Sequence, residues 1–263
     1  MATAVRERLP DLESRHIVGM RVDATSYWDA TERVMAWARN NETRYVCVAS
    51  VNNVMHTRDD ASYAAMMNGA DLVTPDGMPL VWGLRILGVP HATRTYGPSL
   101  TPMVCEAAAR EGVPVAFYGG TPEVLERLHA ELHRQFPDLN IAYSWPPPFR
   151  PLSAEEEAKV VADIDASGAR IVFVGLGTPK QEQWMVRHQD KLTAVMLGVG
   201  AAFDFIAGQK AQAPSWMQKR GLEWVFRLVT EPKRLWKRYL YSNPRFVWLF
   251  AAQALRARFL KTT

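Results

Sequence analysis

The feature that most constrains this chain is a recurring unit. A short, almost wholly apolar run ends in a small or polar turn, and a helix-start signal follows. Tyr45-Val-Cys-Val-Ala49 runs into Ser50-Val-Asn-Asn53. Val115-Ala-Phe-Tyr118 ends in Gly119-Gly120; Thr121 then suits an N-cap, Pro122 the first helical position and Glu123 the positive end of the helix dipole. Ile171-Val-Phe-Val174 leads through Gly175-Leu-Gly177 to Thr178-Pro179-Lys180-Gln181, and Thr193-Ala-Val-Met-Leu197 ends in Gly198-Val-Gly200. Ser153-Ala-Glu-Glu156 is a capping box opening a helix that runs to about Ser167-Gly168. Runs that are apolar throughout, rather than alternating, predict strands covered on both faces. The fold expected is α/β: a largely parallel sheet with helices on both sides, a Rossmann-like three-layer arrangement. The 263 residues suit one such domain with an appendage.

Sheets of this kind bind ligands beyond the carboxyl ends of their strands. Ser50 and Asn52, Asp76, Gly119 and Gly120, Gly177 to Gln181, and Gly200 to Asp204 all occupy such positions and are expected to converge on one crevice. Asp76 is a lone carboxylate in Val73-Thr-Pro-Asp-Gly-Met-Pro79, where two prolines and a glycine force the chain to turn. Either it organises its own turn, as Asp often does before Gly, or it is put to chemical use. Gly175-Leu-Gly-Thr-Pro-Lys-Gln-Glu182 offers amides and a helix N-terminus to a diphosphate, or is a tight turn needing glycine for packing. Lys180 stands where a dinucleotide fingerprint has its third glycine, the loop is not a Walker A motif, and Gly198 to Phe203 fails the same test. Asp163-Ile-Asp165 reads as a solvated helix face, and His129 with His133 as a surface pair lacking a third metal ligand. No metal site is expected.

Met1 to His16 has no continuous apolar stretch and reads as a flexible lead-in without an export signal, which points to the cytoplasm. Cys47 and Cys105 sit in apolar runs and read as core residues. The net charge of +4 hides an asymmetry. Residues 214–263 carry eleven Lys and Arg against two Glu, a net +9, which leaves −5 for residues 1–213. Ten aromatic residues share this basic segment, among them Trp216, Trp224, Trp236 and Trp248. The composition suits a helix lying on an anionic membrane, a nucleic-acid contact, or a core-facing helix with a solvated rim. Its longest apolar run, Phe246 to Leu255, is too short to span a bilayer. The division expected is a lead-in (1–16), a catalytic α/β domain (17–213) and a basic, membrane-associating helical appendage (214–263).

Thr74-Pro-Asp-Gly-Met-Pro79, Arg94-Thr-Tyr-Gly97, Gly177-Thr-Pro-Lys-Gln-Glu182, Ala202-Phe-Asp-Phe205, Pro214-Ser-Trp-Met-Gln-Lys219, Gly221-Leu-Glu-Trp224 and Glu231-Pro-Lys-Arg234 occur in an order that resembles the WecG/TagA/CpsF glycosyltransferase family, glycosyltransferase family 26, over roughly residues 17 to 245. The resemblance implies a bacterial, inverting transfer of a hexose of the N-acetylmannosamine or glucose type. The donor would be a UDP-sugar and the acceptor a polyprenyl-diphosphate-linked saccharide, in cell-wall or exopolysaccharide synthesis at the inner face of the cell membrane. It assigns Asp76 as general base and matches Ser50 and Asn52 to a Thr-x-Asn motif at the reacting centre, with Ser replacing the commoner Thr. Arg94 and Gln181 match residues that handle the diphosphate and donor, and Asp204 a nucleotide-contacting acid; Gly119 and Gly177 join the donor side. Arg227, Arg234 and Arg238 match arginines that face the acceptor diphosphate. Ala211-Gln212 departs from the pattern, many members carrying Arg there. The implied UDP-sugar is a co-substrate; neither a cofactor nor a metal is required, and nucleic acid is not among the partners.

The chemistry agrees with these residues. An inverting displacement needs one base for the acceptor hydroxyl, and the departing UDP needs cations or amides to meet its charge. The basic segment is then expected to anchor the enzyme and to supply those cations, so that deleting it abolishes transfer to a lipid acceptor while the body stays folded. The competing readings are a nicotinamide-dependent oxidoreductase on a doubly wound sheet and a non-catalytic membrane or nucleic-acid adaptor. Donor sugar, acceptor and oligomeric state, a homo-oligomer included, stay open.

Overall fold

In the computed structural model, which describes residues 9–259, the apolar runs become the inner strands of one parallel sheet. The chain opens with an antiparallel hairpin, β1 (Ser14–Ile17) and β2 (Met20–Asp23), followed by α1 (Tyr27–Arg39), β3 (Arg44–Ala49), α2 (Val51–Asp59), α3 (Ala61–Gly69) and β4 (Leu72–Pro75). It continues through α4 (Met78–Ile86), α5 (Gly97–Glu111), β5 (Val115–Gly119), α6 (Pro122–Gln135), β6 (Ile141–Trp145), α7 (Ala154–Ala166) and β7 (Ile171–Gly175). Then come α8 (Lys180–His188), β8 (Val195–Gly198) and α9 (Ala202–Ile206), and three further helices, α10 (Ser215–Lys219), α11 (Glu223–Thr230) and α12 (Pro232–Phe259).

Six strands lie in the order β4-β3-β8-β7-β5-β6, every neighbouring pair parallel. The chain leaves β3 outward to β4 and returns to fill the other side, so strand order reverses at β3. That switch point is where a parallel sheet opens a crevice. Alternate residues of each strand face opposite helical layers. Cys47, Val172 and Met196 pack on one side; Val46, Phe173 and Leu197 pack on the other. Phe117 stacks on Phe173 with ring centroids 5.1 Å apart, and Phe203 meets Phe117 edge-on at 5.5 Å. Both cysteines are buried and free.

Two features lie outside the apolar-run pattern. β6 is an edge strand whose five residues are all half-buried, so Ile141-Ala-Tyr-Ser-Trp145 carries no continuous apolar signal. The hairpin turns on Val18 and Gly19, with φ of 51° and 94°, the positive angles a two-residue hairpin requires. A β-branched residue pays conformational strain there, and Val18 N–H donates to Gln253 Oε1 of α12 at 2.8 Å. Ser14 to His16, read as lead-in, belong to β1; residues 1–8 and 260–263 lie outside the described residues.

The C-terminal helices are fastened to the body. Leu235 and Phe246 are buried. Arg245 makes a two-pronged bond to Asp59 of α2, at 2.6 and 2.5 Å. Gln253 also donates to His16 O. Removing residues 214–263 would therefore uncover core and hairpin, contrary to the expectation of an intact body. The outward face of α12 leaves Leu240, Tyr241, Trp248 and Phe259 exposed. Among the described residues no helix is long and apolar enough to cross a membrane.

Gly119 shows why glycine ends β5. Its φ is +131°, and a Cβ there would lie 2.6 Å from the backbone carbon and oxygen of Gly175 on β7. Gly119→Ala is expected to cost about 2–4 kcal/mol of folding stability, read as a lower urea midpoint.

Candidate active site

The sheet itself delivers Asp76. Ala49 and Pro75 are paired at the ends of β3 and β4, and Asp76 N–H adds the next rung by donating to Ala49 O at 2.9 Å. Asp76 is thereby set beside Ser50, the N-cap of α2. Gly77 then caps α4, with Pro79 in its first turn. The Asp76 carboxylate takes no bond from its own turn. Its partner among the described residues is Arg94, whose Nη2 lies 3.3 Å from Oδ1. Burial pushes the Asp76 carboxyl up to about 6; Arg94 and Arg227 pull against that rise, and Glu223 adds to it.

Arg94 is used on every side. Its Nε donates to the Asp76 carbonyl, Nη1 to Gln218 Oε1 at 3.3 Å and Nη2 to Glu223 Oε2 at 2.6 Å. Its flat face lies over Tyr96, 4.1 Å from the ring centroid. Burial opposes the Arg94 charge, but Asp76 and Glu223 more than restore it. Gln218 and Glu223 come from α10 and α11, so the C-terminal segment reaches the sheet's carboxyl edge with an amide and an acid as well as with cations.

A cavity of about 790 Å³ opens here. Its polar lining includes Ser50, Asn52, Asp76, Arg94, Glu223, Arg227 and Arg238. The rest is walled by α4 and α12, through residues such as Trp82, Ile86, Val247 and Phe250. Arg227 lies over the Phe205 ring at 5.6 Å and Arg238 over the Tyr239 ring at 5.2 Å. In each, Nε is buried without a hydrogen-bond partner. No contact ion pair to either is found among the described residues, and both arginines line the cavity that Asp76 and Glu223 also line.

The other residues singled out by sequence sit elsewhere. Arg234 is half-exposed and paired with Glu231 at 2.5 Å. Asp204 is bonded to Lys210 at 3.0 Å, and Lys210 approaches Glu231 at 3.9 Å. Gly119, Gly177, Gln181, Asp204 and Arg234 do not line the cavity. Gln181 is almost fully buried. Its Oε1 accepts from Gly177 N–H at 3.1 Å and Gly200 N–H at 3.0 Å, clasping the loops after β7 and β8. Of the amides that sequence offered to a diphosphate, that of Gly177 is thus held by a carboxamide. The helix also begins later than its Thr-Pro signal, at Lys180, and Thr178 donates its hydroxyl proton to Glu182. Asp163 pairs with Lys159, and His133 turns to Leu139 O. Among the described residues no three His, Cys, Asp or Glu gather where a metal could be held.

Behind Ser50 lies a network that sequence reading missed. Asn53 Oδ1 accepts from Ser50 N–H at 3.0 Å and Ser50 Oγ at 3.1 Å. Asn53 Nδ2 lies 2.9 Å from Tyr63 Oη, 3.1 Å from Thr178 Oγ1 and 3.1 Å from Glu182 Oε1. Gln181 Nε2 also donates to Glu182 Oε1, at 3.1 Å. Glu182 is fully buried, and its Oε2 has no partner. The signal available was the Ser50-x-x-Asn53 spacing, which resembles a capping box. Burial pushes the Glu182 carboxyl upward against these hydrogen bonds, so the folded chain holds its proton more tightly than the unfolded one. The stability from this group is full below the ordinary glutamate value and is lost as pH rises through the folded value. Glu182→Ala, which strips three donors of their acceptor, is expected to cost about 2–4 kcal/mol. Glu182→Gln keeps an acceptor and no longer titrates. Urea unfolding at several pH values should show it gaining on wild type as pH is raised.

Residues 15–259, nearly the whole described chain, match the family model described as the glycosyl transferase WecG/TagA/CpsF family.

Proposed function

Because the chain belongs to the WecG/TagA/CpsF glycosyltransferase family, a family of cell-wall polysaccharide biosynthesis, we propose that it transfers a hexose, with inversion, from a UDP-sugar to a polyprenyl-diphosphate-linked saccharide. One observation carries the reading. A buried carboxyl group, pushed up to about 6, shares a cavity with two arginines that make no contact ion pair among the described residues.

In this mechanism Asp76 accepts the proton of the acceptor hydroxyl as its oxygen bonds to the sugar C1. The bond from C1 to the UDP oxygen breaks on the opposite face. Asp76 ends protonated, and UDP leaves with the electron pair. Near pH 7 a carboxyl poised about 6 is largely ionised yet a stronger base than an exposed aspartate, which suits this task. Arg227 and Arg238, which line the cavity, meet diphosphate charge. Ser50 and Asn52 line the same cavity and hydrogen-bond sugar hydroxyls. The apolar wall of α4 and α12 accommodates the first isoprene units of the acceptor. The exposed Tyr241, Trp248 and Phe259, with neighbouring Lys and Arg, lie against the membrane surface. The Gln181 clasp leaves no room on these amides for a dinucleotide pyrophosphate, which argues against the oxidoreductase reading.

The test is UDP release, measured over a panel of UDP-sugars with a polyprenyl-diphosphate-linked sugar as acceptor. Asp76→Asn is expected to lower kcat about 10²–10⁴-fold. In wild type, kcat/KM should climb through about pH 6 and level off above it, because only the ionised carboxylate accepts a proton. Arg227→Ala and Arg238→Ala should each weaken acceptor use by about tenfold or more, seen in KM or kcat/KM. Undiminished turnover in Asp76→Asn would sink the assignment.

A further inference from the structure

Arg94 serves two acids at once, and unequally. Its Nη2 is 2.6 Å from Glu223 Oε2 but 3.3 Å from Asp76 Oδ1. The first distance is that of a strong charge-assisted bond; the second is at the weak end of hydrogen bonding. Both acids and the arginine are largely shielded, with side-chain exposures of 15% for Arg94, 15% for Glu223 and 24% for Asp76. The guanidinium is fixed in this unequal position. Tyr96 supports its face at 4.1 Å and the Asp76 carbonyl takes Nε; Gln218 Oε1, 3.3 Å from Nη1, adds only a long, uncharged contact.

We propose that Glu223, brought to the sheet edge by the C-terminal segment, is a positioning residue for the general base: it holds the Arg94 cation away from the Asp76 carboxylate and so preserves its capacity to take a proton. The inference rests on Asp76 being that base. A carboxylate closed onto an arginine loses basicity, typically by one to three pH units, roughly. Arg94 must stand near Asp76, since its Nε anchors the Asp76 backbone. Glu223 resolves the conflict by taking the near end of the charge.

The charged and titratable groups around Asp76 come from several elements. Arg94 and Tyr96 precede α5, Glu223 and Arg227 belong to α11, and Arg238 lies on α12. Arg94 and Arg227 favour the ionised carboxylate. Glu223 is the one acid set against them at contact distance from Arg94. Glu223 also raises the Asp76 carboxyl, after burial as the larger cause. The local signal is slight, one acid in Gly221-Leu-Glu-Trp224 on an otherwise basic segment.

The pH profile of UDP release by the full chain tests this, with wild type, Glu223→Gln, Glu223→Asp and Gln218→Ala compared. Glu223→Gln keeps an oxygen for Arg94 and loses the charge. Its acid limb should move to lower pH than that of wild type. Its kcat/KM on the alkaline plateau should fall about threefold to tenfold, because a less basic carboxylate transfers protons less well. Glu223→Asp should restore the limb in part. Gln218→Ala, which removes an uncharged contact to the same arginine, should leave the limb where it is. Activity lost equally at every pH in Glu223→Gln, with an unmoved limb, would show that Glu223 only docks the segment and would overturn the proposal. So would an equal limb shift in Gln218→Ala. Asp76→Asn run alongside separates the two assignments. If it is inactive while the Glu223→Gln limb stays put, Glu223 alone is misassigned; if it turns over normally, the base itself is misassigned and the proposal falls with it.

Discussion

One guanidinium joins the two halves of this molecule. Arg94 is tied to the Asp76 backbone at the carboxyl edge of the sheet and to Gln218 and Glu223 in the C-terminal helices. Take it away and the sheet still presents Asp76, because the rung to Ala49 is made by backbone alone. The helices, however, would lose their charged anchor at the point where Arg227 and Arg238 must be aimed. The site is thus assembled from a rigid edge, set by β3 and β4, and a helical cover that is fastened elsewhere by Phe246, Arg245 and Gln253 and tied to the edge itself through Arg94. Such division suits a glycosyltransferase, which must bring a sugar donor and an acceptor together in one site.

The inner strands were legible because burial on both faces writes itself as an unbroken apolar run. β3, β5, β7 and β8 all carry that signature, and all lie inside the sheet. β6 lies at the edge and β1–β2 form a separate antiparallel pair, so neither needs it. The site divides in a similar way. Ser50, Asn52 and Asp76 sit at strand ends, where connectivity predicts a crevice, and they share the cavity. Arg227 and Arg238 join them through the family motifs, since no local pattern aims a helix 150 residues downstream, roughly, at a given strand end. Gln181 shows the opposite limit. A Gly-rich loop before a helix looks the same in sequence whether its amides face a ligand or a side chain. Glu223 was hidden as the minority charge in a basic segment, and its partner Arg94 stands 129 positions away.

The charge asymmetry also changes meaning. A net +9 over residues 214–263 suggested an object distinct from the acidic body. In the folded chain that positive charge is distributed by role. Arg245 is paired with Asp59 and Arg234 with Glu231, whereas Arg227 and Arg238 line the cavity with no contact ion pair among the described residues. Composition reports the sum, and only the contacts show which cations are free to act on a substrate.

The clasp between Gln253 and the hairpin bears on how the molecule is made. Val18 and Gln253 are separated by 235 positions, so the first turn of the sheet-side structure is completed by a residue from the last helix. During synthesis the hairpin emerges early and waits, its strained turn unsupported, until α12 has left the ribosome. Contacts of such long range are slow to close. The helix that carries an exposed aromatic face is therefore also the element that closes the first hairpin, and the fold is complete only once the two distant parts of the chain have met.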